Sequence, residues 1–167
     1  MPVSDQGHLR DRYTIIPRTL IFLTRKDRIL LIKGAAHKRL WADQYNGIGG
    51  HVECSEDLLS AARREIQEET GLIPIDLWLC GTIMIDTGEK PGIGIFVFRG
   101  ECHDEDVKES EEGTLEWVSL SEIYNLPLVE DLRTLLPKVL EMNIDASPFS
   151  ALYTYDTDGR LNIRFGE

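Results

Sequence analysis

Apolar residues fall in short runs before residue 50 and at helical spacing just after it. Thr19-Leu20-Ile21-Phe22-Leu23 and Ile29-Leu30-Leu31-Ile32 are separated by Thr24-Arg25-Lys26-Asp27-Arg28. Two such runs split by a charged turn predict a β-hairpin with one strand well buried. The stretch from Gly34 to Tyr45 reads as a basic, partly aromatic loop carrying Lys38, Arg39 and Trp41. From Ser55 to Thr70 the pattern turns helical, because Leu58, Leu59, Ala62 and Ile66 recur three and four apart. Ser55 is the expected N-cap, Glu56 and Asp57 fall in the first turn, and Gly71 is a natural stop.

Residues 75–85 and 93–99 predict strands joined by the turn-rich DTGEKPG, and an acidic loop from Glu101 to Glu112 leads to a short strand, Leu115 to Val118. A second helix is expected from about Leu128 to Met142, with Leu132, Leu135, Leu136, Val139 and Leu140 along one side and a break or kink at Pro137. Alternating Phe149, Ala151, Tyr153 and Tyr155, followed by Asp158-Gly159, predict a closing hairpin. Strands and two helices mixed in this order imply an α/β sandwich with a mixed sheet. No repeat or linker interrupts residues 1–167, which read as one domain with residues 1–12 as a loose polar lead-in.

Composition narrows the partners. The 167 residues are 42% hydrophobic, enough for one sizeable core, and carry a formal net charge of -11. That sign disfavours duplex nucleic acid but leaves room for a small anion whose charge is locally neutralised. Cys54, Cys80 and Cys102 are few, odd in number and widely spaced, as expected of reduced thiols in the cytoplasm. No stretch has the roughly 20 apolar residues of a membrane span.

The chemistry concentrates in GHVECSEDLLSAARREIQEETGL, beginning at Gly50. A glycine-rich loop runs into a helix bearing Glu65, Glu68 and Glu69, which fall within a sector about 100° wide. Three carboxylates on one face repel one another, and they sit at the helix end where the dipole disfavours negative charge. A solvated acidic face relieved by Arg63 and Arg64 is the plain alternative. A hard cation would turn the repulsion into attraction, and clustered carboxylate oxygens with room for water and phosphate suit Mg²⁺.

Gly50, Glu56, Arg64-Glu65-Ile66, Glu68-Glu69 and Gly71-Leu72 stand at the spacing of the Nudix box, and the chain resembles that family at every defined position of it. The resemblance implies an α/β/α sandwich and Mg²⁺-dependent, or Mn²⁺-dependent, hydrolysis of a diphosphate linkage. It implies metal ligands at Glu65, Glu68 and Glu69, with the Gly50 carbonyl as a further ligand. Arg64 would hold the carboxylates by bidentate pairing, Glu56 would be mainly structural, and either Glu68 or Glu69 would accept the proton from water.

Outside the box, Tyr45-Asn46-Gly47-Ile48-Gly49-Gly50 is similar to the lead-in of the MutT-like, oxidised-purine triphosphatase branch. That likeness implies that Asn46 contacts the base, the alternative being that it supports the turn. Thr19 matches a pocket position of the branch, and Glu112, five residues before Trp117, matches an extra catalytic carboxylate or metal ligand. Glu130 and Asp131 fall where the branch reads the base, with Val129 in place of its aromatic residue. Lys33, Lys38 and Arg39 are the nearest upstream cations for a phosphate tail, or else ordinary surface charges. Trp41 and Tyr45 could stack a base, although core packing is favoured.

Two further functions stay open. One is hydrolysis of ADP-ribose or another nucleoside diphosphate derivative. The other is a non-catalytic nucleotide sensor, which the complete set of box carboxylates disfavours. Homodimers are common in the family, but no interface signature is present.

Overall fold

The computed structural model describes residues 2, 12–36, 41–108, 110 and 112–166. Lys38, Arg39 and nearly all of the polar lead-in lie outside the described residues.

The first two apolar runs form β1 (Ile15–Arg25) and β2 (Arg28–Gly34), an antiparallel hairpin registered through Leu23↔Leu30 and Arg25↔Arg28. Both strands are buried on both faces, and the period of two divides their side chains. Leu20, Phe22, Ile29 and Leu31 enter one apolar cluster, while Ile21, Leu23 and Leu30 enter the other. The longer runs that follow give β4 (Asp76–Asp86) and β5 (Gly92–Glu101), and the acidic loop leads to β6 (Gly113–Ser119). The two-residue β3 is Tyr45–Asn46, and the tail folds into β7 (Phe149–Tyr155) and β8 (Leu161–Phe165).

These strands make one mixed sheet. β5 pairs in parallel with β1 and antiparallel with β4, and β4 pairs in parallel with β7. The sheet forks at β2, which β6 accompanies along its whole length while β1 meets Arg28–Leu30 and β3 meets Ile32–Lys33. Helix α1 (Leu58–Thr70) buries Ala62 and Ile66 in the cluster on one face of the sheet. Helix α2 (Leu132–Glu141) buries Leu132, Leu135, Leu136 and Val139 in the cluster on the other. The result is the expected α/β/α sandwich.

Three local expectations need correction. Ser55 does not cap α1: it adopts the left-handed region at φ 69, and Asp57 takes the role with its carboxylate accepting from the Leu59 and Ser60 amides. Glu56 and Asp57 therefore precede the first turn, while Gly71, at φ 74, ends the helix as expected. Helix α2 begins at Leu132 rather than near Leu128, because the chain before it is bonded to β3. The Tyr45 amide donates to the Pro127 carbonyl at 2.9 Å and the Val129 amide to the Tyr45 carbonyl at 3.0 Å. Pro137 does not break the helix. It forfeits a bond to the Arg133 carbonyl, but both residues are exposed, where water can satisfy that oxygen.

Candidate active site

The glycine loop runs beside β1 as a short extra strand. The Thr19 amide donates to the Gly50 carbonyl at 2.8 Å, and Ile21 and Ile48 exchange bonds of 2.7 and 3.1 Å. This pairing fixes the loop at the mouth of α1. At Gly50 the absence of a side chain matters directly, because a Cβ there would run into the carboxylate of Glu65. The Gly50 carbonyl spends one lone pair on Thr19 and keeps the second for a ligand.

Arg64 organises the carboxylates of the helix. Its Nε and Nη2 donate to the two oxygens of Glu56 at 2.9 and 3.0 Å, a bidentate pair. Nη1 donates to Glu65 at 2.8 Å and to Glu68 at 3.1 Å, and Nη2 also reaches the His51 carbonyl at 2.9 Å. The guanidinium holds Glu56 below the usual carboxylate range, helped by the Glu53 amide, and the Glu56 bonds in turn raise the Arg64 pKa. Glu65 is only 9% exposed, whereas Glu68 is exposed on the Arg64 side and Glu69 is half-buried.

A cleft of about 890 Å³ opens beside this cluster. Thr19, Asn46, Gly50, Glu65, Glu69, Glu112, Glu130 and Asp131 all line it. Glu68 and Arg64 do not; Arg64 sits behind the lining and grips Glu65. Lys33 is also absent from the lining, and its ammonium lies 3.9 Å from Asp43 and 6.0 Å over the Tyr45 ring. Asn46 serves its turn, accepting the Gly47 amide at 2.8 Å, and faces the cleft as well.

Tyr45 is core, as favoured, and its hydroxyl donates to Glu116 at 2.9 Å. Trp41 is not. A turn in which the Gln44 amide bonds the Trp41 carbonyl carries it outward, 47% exposed and against the cleft. Several lining residues carried no signal in the sequence: Arg18 on β1, Ile93 and Ile95 on β5, and Tyr153 and Tyr155 on β7. Only the alternation of the tail hinted at a shared face for the two tyrosines.

The carboxylates of Glu65, Glu69 and Glu112 and the Gly50 carbonyl are hard oxygen donors along one cleft, and that chemistry fits Mg²⁺ or Mn²⁺. Among the described residues, no three His, Cys, Asp or Glu side chains are already gathered closely enough to hold an ion. Glu68 is held by Arg64 at 3.1 Å, away from the cleft lining. No helix among the described residues is long and apolar enough to cross a membrane.

Known proteins resemble this chain in sequence or in fold. A Danio rerio protein named oxidized purine nucleoside triphosphate hydrolase is 32% identical over 106 residues, 63% of this chain and 67% of its own length. The crystal structure of a Bacillus halodurans MutT protein superposes with a TM-score of 0.75 at 24% identity, covering 90% of this chain and 97% of that one. The NUDIX domain of Shewanella oneidensis NrtR, solved with ADP ribose, superposes with a TM-score of 0.68 at 14% identity, covering 84% and 98%. The NUDIX domain profile matches residues 15–139, a span that contains the glycine loop, α1 and its glutamates and stops short of β7 and β8. With most of its length inside that match, the chain belongs to the Nudix family of hydrolases.

Proposed function

We propose that this chain is a Mg²⁺-dependent hydrolase of nucleoside triphosphates, releasing a nucleoside monophosphate and pyrophosphate. One observation carries the reading: a single cleft brings the α1 carboxylates together with exposed aromatic faces. Trp41 at 47% and Tyr155 at 50% exposure both line it, and rings of this kind stack on a heterocyclic base. They offset the absence of an aromatic residue at Val129. The name of the Danio rerio relative agrees with a purine nucleotide as substrate.

A bound Mg²⁺ supplies charge neutralisation for the phosphates and lowers the pKa of the attacking water. Glu65, Glu69, Glu112 and the Gly50 carbonyl would hold it, with Glu68 recruited from Arg64. Glu69 lines the cleft where Glu68 does not, so Glu69 is the better-placed proton acceptor. Water oxygen bonds to phosphorus, the bridging P–O bond breaks, and the proton passes to the carboxylate. Asn46, Thr19, Glu130 and Asp131 face the nucleoside, while Lys33 serves at most the outer end of the phosphate tail.

The test is a panel of 8-oxo-dGTP, ordinary dNTPs, ADP-ribose and diadenosine polyphosphates with Mg²⁺, ranked by kcat/KM. A triphosphate should lead. ADP-ribose in first place would replace this reading with that of a nucleoside diphosphate pyrophosphatase. Glu69→Gln should lower kcat on the order of 100-fold or more with the thermal melt unchanged, whereas full turnover in that variant removes Glu69 from the mechanism.

A further inference from the structure

Asp57 and Asp131 are the same residue at the same helical position, yet their carboxyls behave differently. Asp57 caps α1 through the Leu59 and Ser60 amides. Asp131 is the N-cap of α2 and makes no capping bond with its side chain. It lines the cleft instead, forgoing a stabilising contact that aspartate is favoured to make there.

Beside it stands Tyr153, on the floor of the cleft and only 2% exposed. Its hydroxyl oxygen is sealed from water and meets no hydrogen-bond partner of proper geometry among the described residues. Buried hydroxyls are rarely left so. The Asp131 carboxyl is nonetheless near enough that it adds to burial in raising the phenol's pKa. The phenol in turn opposes the rise that burial imposes on Asp131. Tyr153 therefore stays protonated, a donor waiting next to a carboxyl that does not cap its helix. Tyr153 is placed there by the docking of β7 on β4, where it pairs with Ile85.

We propose that Tyr153 is a positioning residue for Asp131: when a nucleotide binds, its hydroxyl comes to donate to one carboxyl oxygen and turns the other toward the cleft to accept an N–H from a nucleobase edge. The inference rests on the nucleotide reading above, since it needs a ligand that carries a base. Tyr153 assists recognition and takes no part in breaking the phosphate bond.

The test reads binding, so it does not depend on turnover. Calorimetry with dGMP and dAMP is run on the wild-type chain, Tyr153→Phe, Asp131→Ala and the double variant. Tyr153→Phe removes only an oxygen that has no proper partner in the free protein, so its melting temperature should hold or rise. Its affinity for the preferred monophosphate should fall about tenfold, the scale of one hydrogen bond. In the Asp131→Ala background the same change should cost nothing further, because the hydroxyl acts through the carboxyl. Wild-type affinity in Tyr153→Phe overturns the proposal, as does a loss that persists undiminished beside Asp131→Ala or a wild-type chain that binds neither monophosphate. A blank hydrolysis panel alongside the expected binding losses refutes the triphosphatase reading and leaves the pairing intact.

Discussion

Gly50 and Arg64 set the geometry of the glutamates from opposite sides. Arg64 binds the Glu65 carboxylate at 2.8 Å from within the protein, and Gly50 leaves open the space into which that carboxylate settles. The guanidinium is suited to this work because its planar fork reaches Glu56, Glu65, Glu68 and the His51 carbonyl together, which a lysine ammonium cannot do. Gly50→Ala tests the other side. Its methyl group lands on the Glu65 carboxylate, so Glu65 must swing away from the cleft. The expected result is a fall in kcat/KM of roughly 10- to 100-fold, together with a higher Mg²⁺ concentration for half-maximal activity in a metal titration. Unchanged values on both counts would mean that Glu65 does not need its present position.

Helix α1 is anchored at its start by two acids whose charges the fold favours. The Ser60 hydroxyl and amide hold Asp57 below its ordinary pKa, and Arg64 does the same for Glu56. A depressed folded pKa gives stability that is present above the unfolded value and is lost as the pH falls through the folded one. The melting temperature should therefore decline as the pH drops below about 4. Asp57→Asn keeps a capping oxygen but removes that titration, so its melting temperature should fall less steeply over the same acid range. A slope equal to that of the wild-type chain would place the acid sensitivity elsewhere.

Elements of this kind were the most legible in the sequence. The spacing of Leu58, Leu59, Ala62 and Ile66 and the stop at Gly71 are local signals, and so are the turns of both hairpins. The sequence puts the cap two residues early because Ser55 and Asp57 are equally good cappers, and only the left-handed turn at Ser55 selects between them. The pattern starts α2 too early because the competing bonds come from Tyr45, far away in sequence.

At the scale of the whole molecule, the cleft depends on two parallel pairings, β1 with β5 and β4 with β7. Periodicity says which face of a strand is apolar but not which distant strand lies beside it. The box glutamates could therefore be read in advance, whereas Arg18, Ile93 and Tyr153 could not be assigned to the same cavity. The closing hairpin is integral to this design although it lies beyond the matched residues 15–139. Phe149, Ala151 and Tyr153 are buried in the core cluster shared with α2, and Phe149 meets Phe165 edge to face at 5.7 Å. Truncation after Pro148 should abolish a single cooperative melt and increase dye binding to exposed apolar surface. A truncated chain that melts cooperatively near the wild-type temperature would make the hairpin an accessory.

The parallel docking of β7 on β4 also has a consequence for the newborn chain. A ribosome delivers the carboxylates of α1 well before the tyrosines of β7, so a nascent chain holds those acids while one wall of the cleft is still missing. The cleft is closed only once residues 149–155 have emerged and docked on β4.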